Sequence, residues 1–587
     1  MRKYLLVALI LPALITGAAS NPFQKRLPKD SEAIHALARL TFGPRPGDIE
    51  EVKRIGVKKW IEMQLDPKSI PENAKLKASL KPLDSLRMNP SEMAENYPDR
   101  NMIQAMARGN QVPMPSDPVL RARMERMSKL YKARMDGETP QTPKPMEQIL
   151  DAQELAAFRS ASPAERIKFL ASLPDDKMAS VFEAIPPQMR QGMTFMAPPE
   201  LRRKIMVNTQ PQTIVINDLM EAKLLRAVYS NRQLEEVLDD FWYNHFNVFL
   251  EKGLDRMLVT GYERDAIRPH VLGKFKDMLQ ATAEHPAMLF YLDNWQSVAN
   301  GIGFGKQKRG LNENYARELL ELHTLGVDGG YTQQDIIEVA RCFTGWTIKD
   351  PRRGAAFEFN PRMHDKGEKT VLGVRIPAGG GKEDGLKVLD IVVHHPSTAR
   401  FLSTKLAMRF VSDNPPKELI DRMAKTYTAT DGDLRAIMRT MFNSKEFWSV
   451  GAYNAKMKSP LEMVVSAVRA TGAEVNSTFA LVQQLQQLGQ PLYRKIEPTG
   501  YSSANAEWTN SAALLARMNF ALSLAQNKVP GLKVDTSKFD KSAVADVIAK
   551  ELLFHESSPT TRAAIQKETS PERIAGLVLG SPEFQRR

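Results

Sequence analysis

A histidine near the middle of the chain stands where imidazole chemistry is possible. Segment 234–249 repeats apolar residues at helical spacing, and a projection at about 100° per residue puts His245 at the centre of its apolar face, with Leu238 and Phe241 beside it. A buried imidazole needs a hydrogen-bonding partner for each ring nitrogen. A carboxylate on a neighbouring buried helix is the first candidate partner for His245.

Two glutamates lie on a second predicted helix, residues 311–326. The same projection places Glu318 inside an apolar stripe and Glu321 along the edge of that stripe. A carboxylate that faces a core is unfavourable unless it is paired, hydrogen-bonded or metal-bound. His323 falls on the opposite side of this helix, so His323 and Glu318 are not expected to bind the same ion.

His364 and Asp365 lie in a polar turn between two short predicted strands, where they would close over a site. With the residues above they suggest two kinds of chemistry. His245, Glu318, His364 and Asp365 supply nitrogen and oxygen ligands for a divalent metal ion. His245, Glu318 and Glu321 are candidate catalytic residues for acid–base chemistry. The set matches no known motif, since the sequence has no His-Glu-x-x-His, Cys-x-x-Cys or Gly-x-Ser-x-Gly pattern.

The same residues also fit a structural role. Glu318 would then pair with a buried arginine, for which Arg264, Arg268 and Arg341 are candidates, and His245 would be a hydrogen-bonded core histidine. Buried polar networks of this kind specify a fold without catalysing a reaction. Both interpretations stay open at the level of the sequence.

Helices must position most of these residues, because apolar residues recur at three- and four-residue spacing along most of the chain. The sequence predicts a mainly α fold, a large multi-helix globular body with one small β-hairpin near residues 355–377. Five segments are expected: a signal peptide (1–19), N-terminal core helices (28–65), a Met- and Pro-rich helical insert that is partly disordered (66–215), a helical core with the hairpin (216–450) and a C-terminal helical region (451–587).

The composition excludes two classes of protein. The net charge of +13 comes from 81 basic and 68 acidic residues that are mixed along the chain, without the basic block and interleaved aromatics of a nucleic-acid groove. Nucleic acid is therefore not an expected partner. A single cysteine, Cys342, rules out an internal disulfide and is interpreted as a small buried hydrophobe.

The N-terminus predicts export. Arg2 and Lys3 precede an apolar run from Leu5 to Thr16, and small residues at 17–19 provide a cleavage site. The run is shorter than the roughly 20 residues that cross a bilayer. No cysteine for a lipid anchor lies nearby, and no later segment is long and apolar enough to span. We expect a mature form without a transmembrane anchor, in the periplasm or outside the cell.

The most distinctive sequence extends from Phe-Trp-Tyr-Asn-His-Phe at 241–246 through residues 310–332. It closely resembles the bacterial family called domain of unknown function 1800. Shorter matches are Arg-Leu-Thr-Phe-Gly-Pro at 39–44, Thr-Gly-Trp at 344–346, His-Asp at 364–365, His-Pro-Ser-Thr-Ala-Arg at 395–400 and Gly-Gln-Pro-Leu at 489–492. The resemblance covers nearly the whole mature chain apart from 66–215. It implies a large, often exported bacterial protein with no established activity.

Two functions therefore stand beside each other. The first is a non-catalytic scaffold or an assembly and binding factor of the cell envelope, whose insert contacts another exported envelope protein. The alternative is a metal-assisted or acid–base hydrolase that uses the buried His and Glu residues. A fold by itself does not decide between them.

Overall fold

The fold is built almost entirely from helices, which confirms the predicted mainly α class. The structure is a computed structural model that describes residues 21–112, 114–137, 144–301, 310–351, 354–535 and 557–587. The predicted signal peptide at 1–19 lies outside these residues. Within them, no helix combines the length and the apolar character that a membrane span requires.

Three helices open the described chain and contribute apolar side chains such as Leu37, Val52 and Ile61 to the main hydrophobic core. Positive φ angles at Gly47 and Gly56 allow the sharp turns between them. The helices are α1 (Lys29–Leu40), α2 (Asp48–Ile55) and α3 (Val57–Leu65).

The insert is also helical in its described part, and its prolines mark where helices begin. Proline has no amide hydrogen to donate and is tolerated in the first helical turn, where it stands in α5, α10, α12 and α13. Residues of α9 to α13 form a small hydrophobic core of their own around Phe158, Leu170 and Phe182. Partial disorder of the insert stays a prediction. Its helices are α4 (Ala74–Leu80), α5 (Pro90–Asn96), α6 (Arg100–Ala107), α7 (Pro118–Met135), α8 (Met146–Ile149), α9 (Ala152–Ser160), α10 (Pro163–Ser172), α11 (Asp175–Ala184), α12 (Pro187–Met196) and α13 (Pro199–Thr209).

The central region holds most of the candidate residues. Its α-helices are α14 (Gln212–Tyr229), α15 (Gln233–His245), α16 (Asp255–Gly261), α17 (Phe275–Glu284), α18 (Pro286–Tyr291), α19 (Asn314–Glu318), α20 (Gln333–Cys342), α21 (Lys382–His394), α22 (Pro396–Phe410), α23 (Lys417–Ala429) and α24 (Leu434–Phe442). Two π-helices, π1 (Tyr262–Ile267) and π2 (Leu319–Thr324), continue from α16 and α19. The prediction of a single regular helix at 311–326 is therefore wrong, because the second half of this segment has the wider turns of a π-helix.

The β structure consists of small two-stranded sheets. β1 (Trp346–Lys349) pairs with β2 (Ala356–Phe359), and β3 (Lys369–Val371) pairs with β4 (Val374–Ile376). Strands thus lie in the predicted region, but as two hairpins instead of one. Leu372 and Gly373 both have positive φ and close the second hairpin with a two-residue turn. A further pair, β5 (Glu474–Val475) and β6 (Leu532–Lys533), joins parts of the C-terminal region.

The C-terminal region packs around one fully enclosed helix. Every residue of α25 (Pro460–Ala470) is buried. The other helices among the described residues of this region are α26 (Phe479–Gln487), α27 (Ser511–Ala525), α28 (Pro559–Gln566) and α29 (Pro571–Gly580). Short 3₁₀ turns lie at Pro22–Gln24, Pro67–Ser69, Asp84–Arg87, Arg268–His270, Asn294–Gln296 and Asn505–Trp508.

Candidate functional site

Ion pairs buried behind α15 fix the orientation of the helix that carries the candidate histidine. Arg268 lies 2.7 Å from Asp239 and 2.9 Å from Glu236. Lys223 of α14 lies 3.1 Å from Asp240. Separating the partners of a buried ion pair is strongly unfavourable, because it leaves an uncompensated charge in the core. These contacts therefore fix the rotation of α15 about its own axis.

α15 and α22, the start of α25 and segment 499–508 enclose a cavity of about 230 Å³. Its lining mixes charged, hydroxyl, amide and aromatic groups, among them Asn244, His245, Lys405 and Tyr501. The volume lies just below the roughly 300 Å³ at which small-molecule pockets begin. The cavity therefore suits a small polar ligand or one group of a larger ligand.

His245 stands at the end of α15 and is only 2% exposed. Its Nε2 atom lies 3.0 Å from the backbone oxygen of His323. A carbonyl oxygen only accepts, so Nε2 carries the proton. Nδ1 has no hydrogen-bond partner among the described residues. The predicted carboxylate partner is wrong, because the end of π2 offers a backbone oxygen without an intrahelical donor.

The charge state of this imidazole follows from its surroundings. Trp242 and Phe246 meet the ring edge-on, with centroids 5.3 and 4.6 Å away. Burial, and then the positive charge of Lys405, lower the pKa of His245 well below its ordinary value. His245 is therefore neutral at physiological pH, with Nδ1 able to accept a proton or a hydrogen bond.

Lys405 of α22 is the second proton-carrying group of the cavity. Its nitrogen lies 5.3 Å from the centre of the Phe401 ring, and no described carboxylate pairs with it. Burial lowers the pKa of Lys405 from 10.5 to about 8. Near neutral pH this side chain can both carry a proton and release one.

Segment 499–508 forms one wall of the cavity. The backbone N–H of Tyr501 donates to Asn244 Oδ1 at 3.1 Å, and Trp508 Nε1 donates to the Ser502 carbonyl at 3.0 Å. Gly500 approaches α15 so closely that a Cβ atom there would lie 2.1 Å from the Asn244 backbone oxygen. Only glycine permits this contact, which brings the wall onto the helix.

Neither candidate glutamate is among the residues that line the cavity beside His245. Glu318 is partly buried and has no hydrogen-bond partner among the described residues. Burial, and then the neighbouring charge of Glu321, raise the pKa of Glu318 to about 7. The charge of Glu318 acts on Tyr291 and Tyr331, whereas the charges that lower the pKa of His245 are those of Lys405 and His323.

The arginines proposed as partners of Glu318 all pair elsewhere. Arg264 donates to Asp265 at 2.6 Å. Arg268 serves the ion pairs behind α15, and Arg341 donates to Asp365 at 3.0 and 3.1 Å. The predicted pairing of Glu318 with one of these three arginines is therefore wrong. The raised pKa of Glu318 is consistent with a carboxyl group that lacks a cationic partner.

His364 and Asp365 belong to a separate polar network. His364 Nδ1 lies 2.8 Å from the Thr344 carbonyl oxygen, and Nε2 lies 3.1 Å from Asp384. Lys369 donates to the same Asp384 oxygen at 2.6 Å. With each ring nitrogen bonded and Asp365 held by Arg341, these side chains join the hairpins to α20 and α21.

The predicted metal ligands are not brought together by this arrangement. Across the residues that the structure describes, no group of three or more His, Cys, Asp or Glu side chains is arranged to hold a metal ion. His245 contacts π2, the charge of Glu318 acts on Tyr291 and Tyr331, and His364 bonds with Asp384. The four predicted ligands therefore do not form one metal site within the described structure.

Comparison with known proteins adds one result. Residues 35–586 match the family described as "Protein of unknown function (DUF1800)". The chain belongs to this family. No curated protein and no solved structure matches it. The matched range spans the insert at 66–215, for which the sequence showed no resemblance.

Within this DUF1800 chain, the sequence missed Lys405, Arg409 and Tyr501 as cavity residues. A lysine on an amphipathic helix is ordinarily solvated, and nothing in its spacing distinguishes Lys405 from its neighbours. Gln490 lies in a segment that carries the resemblance, and it also lines the cavity. The position of Gln490 in that segment is the one sequence feature that could have indicated this cavity.

Proposed function

We propose that the protein is an exported binding factor of the cell envelope that holds a small ligand in the cavity between α15 and α22. One observation carries the proposal: a cavity of about 230 Å³ whose lining includes neutral His245 and unpaired Lys405. Polar groups that converge on a cavity and have shifted pKa values are typical of binding and active sites. The export part rests on the N-terminal sequence at 1–19.

Native mass spectrometry of the protein extracted from the envelope tests whether the cavity is used. Met408 lines the cavity, so Met408→Trp is expected to fill it. Thr404→Trp adds the same side chain to the same helix outside the lining and serves as control. We expect a bound small molecule on the wild type and on Thr404→Trp, and none on Met408→Trp. The same bound species on all three proteins, or on none, would contradict the proposal.

An acid–base enzyme is the second candidate, and the pKa of about 8 for Lys405 favours it. An amine that is half-neutral near pH 8, in the same cavity as a neutral imidazole, can move protons in a way that an ordinary surface lysine cannot. This candidate predicts turnover of the bound molecule that rises with pH through about 8 and is lost in Lys405→Met. If the bound molecule stays unchanged during prolonged incubation, the enzyme candidate is contradicted and only the binding function remains.

A further role belongs to the insert. We propose that its helices contact another exported envelope protein, as the sequence suggested. The separate small core around Phe158, Leu170 and Phe182 supports a segment that keeps its own shape while its outer face is free to bind. Crosslinking in the intact envelope, with and without residues 146–205, tests this part.

A further inference from the structure

One glutamate at the cavity is shared by two arginines. Arg409 lies 2.5 Å and Arg587 lies 2.9 Å from the same Glu462 oxygen, Oε1. The other oxygen, Oε2, accepts from the Ser459 backbone N–H at 2.9 Å and caps α25. All three charged side chains are at most 8% exposed. Both oxygens of Glu462 are therefore already committed.

The two guanidinium groups keep donors that nothing described satisfies. Arg409 Nη1 and Arg587 Nη1 are buried and have no hydrogen-bond partner among the described residues. A buried N–H group without a partner is destabilising, and more so when it carries charge. The planar guanidinium group can donate two parallel hydrogen bonds to the paired oxygens of a carboxylate or phosphate group.

The other charged side chains of the cavity lining also favour an anionic ligand. Lys405 also lines the cavity and has no described carboxylate partner. Asp240, the other acidic residue in the lining, pairs with Lys223 at 3.1 Å. Among the side chains that line the cavity, this leaves Glu462 as the acidic group for three cationic ones, Arg409, Arg587 and Lys405. Gln490 adds a neutral donor, because its oxygen accepts from the Leu461 N–H at 2.8 Å and its NH₂ group is left to donate.

Two more buried basic side chains interact with Glu462, and burial lowers the pKa of one of them, Lys458, to about 7. Lys458 is 8% and Arg517 is 1% exposed, and Glu462 is the carboxylate whose charge acts on both. Nε and Nη2 of Arg517 also have no described partner. An ion pair that served only to join helices would not require this excess of positive charge.

We infer that the cavity ligand is an anion, a small molecule that carries a carboxylate or phosphate group held by Arg409, Arg587 and Lys405. The inference rests on the proposed function of the cavity and adds the chemical class of the ligand. Arg409, Arg587 and Lys405 line the cavity, so guanidinium N–H groups donate to the oxygens of the anion while Lys405 supplies charge at the cavity wall.

Calorimetric titration at constant ionic strength tests the inference, with inorganic phosphate and acetate as two separate probes and glucose as a neutral control. We expect phosphate or acetate to bind, and which one binds distinguishes the two ligand groups. Loss of one charge-assisted hydrogen bond corresponds to roughly a tenfold or larger loss of affinity, which is expected for Arg587→Gln.

Lys405→Met keeps the experiment interpretable if an arginine variant fails to fold, because this side chain has no ion pair to lose. It should also weaken anion binding by about tenfold. Lys425→Met removes the same charge from an exposed position on α23 and should change nothing. Binding of neither anion, or equal binding in Lys405→Met and Lys425→Met, would overturn the inference.

The Met408→Trp variant separates the two possible failures. Anion binding that survives Met408→Trp but is lost in Arg587→Gln would locate the anion outside the cavity and contradict the proposed function. A bound neutral molecule that Met408→Trp removes, together with no anion binding, would keep the cavity as a ligand site and overturn only the anion inference.

Discussion

Lys405 is a charged group in a cavity whose acidic side chains, Asp240 and Glu462, pair with other residues. Such a side chain lowers the stability of the folded state, since burial disfavours the ammonium and no ion pair compensates. Residues of this kind are typical of functional sites, where activity or binding is maintained at the expense of stability.

Lys405→Met is expected to raise the free energy of unfolding at pH 7 by about 1 kcal/mol, a value that allows for partial solvent screening. The pKa of the folded state, about 8, lies below the ordinary 10.5, so stability is lost as pH falls from 10.5 to 8. The gain in the variant should therefore be complete at pH 7 and vanish above pH 10.5. Urea unfolding at the two pH values measures it, with exposed Lys425→Met as the control. A less stable variant at pH 7 would mean that the ammonium makes a stabilising contact.

His323 should also make the folded state less stable as pH falls, in this case in the acidic range. Burial, and then the charge of Lys405, lower the pKa of His323 from 6.5 to about 3. The unfolded chain binds a proton below about pH 6.5 and the folded chain does not, so stability falls by about 1.4 kcal/mol per pH unit between these values. His323→Gln removes this slope, and the stability gap between wild type and variant should narrow as pH falls from 7 to 5.

The difference between wild type and variant is the proper measure. Buried carboxyl groups such as Glu318 and Glu221 have raised pKa values and act in the opposite direction on total stability. His394→Gln is the matched control, since its pKa is raised by hydrogen bonds to Asp390 and Asp431. Its contribution is present below pH 6.5 and is lost as pH rises, so this variant should shift the pH dependence the other way. A parallel pH dependence in wild type and His323→Gln would contradict the prediction.

Among the structural elements, segment 499–508 decides whether the cavity has a wall. Gly500 has a φ of 69° and Gly489 has a φ of 87°, so alanine is strained at both. A Cβ at 489 meets nothing within 4 Å, whereas a Cβ at 500 would lie 2.1 Å from the Asn244 oxygen. The two positions share the backbone strain and differ in the contact with α15.

Gly500→Ala is expected to lower the free energy of unfolding by at least about 1 kcal/mol more than Gly489→Ala. It should also increase hydrogen exchange at Tyr501, whose N–H bonds to Asn244. Hydrogen exchange with mass spectrometry and urea unfolding measure the two effects. Equal loss of stability in the two variants would show that the wall tolerates displacement from α15.

The π-helices explain why the element-level prediction failed where it did. The helical projection of 311–326 assumed about 100° per residue throughout. π2 begins at Leu319, directly after Glu318, so every residue beyond that point is rotated from its projected direction. Short π segments inside helices are frequently found at functional sites. Here π2 ends beside His245 and supplies the oxygen that bonds it.

On the scale of the whole molecule, export is the prediction with the most direct test. The N-terminus of the protein recovered from the periplasm or the medium should be Ser20 or Asn21. Replacing both Ala18 and Ala19 by arginine removes the small residues that signal peptidase requires, and should cause the uncleaved precursor to accumulate. Asn21→Gln should be processed normally. Wild-type protein that retains Met1 in the cytoplasm would contradict export.

The sequence by itself determined the mainly α class, the family and the burial of His245 and Cys342. These properties depend on local spacing and on composition, since apolar periodicity is visible without knowledge of contacts. The same local information gave the region of the strands but not their pairing. The Leu372–Gly373 turn lacks the Asn-Gly or Asp-Gly pair that usually marks such a hairpin.

Only the tertiary structure decided which groups share a site. His245, Lys405 and Tyr501 are separated by long stretches of sequence, and α15, α22 and segment 499–508 bring them to one cavity. Glu318 and His364 are not among the residues that line this cavity. Side chains from different helices meet only through tertiary packing, which local sequence patterns do not encode. The sequence predicted a set of metal ligands, whereas the structure favours a cavity lined by a neutral histidine and several cationic side chains.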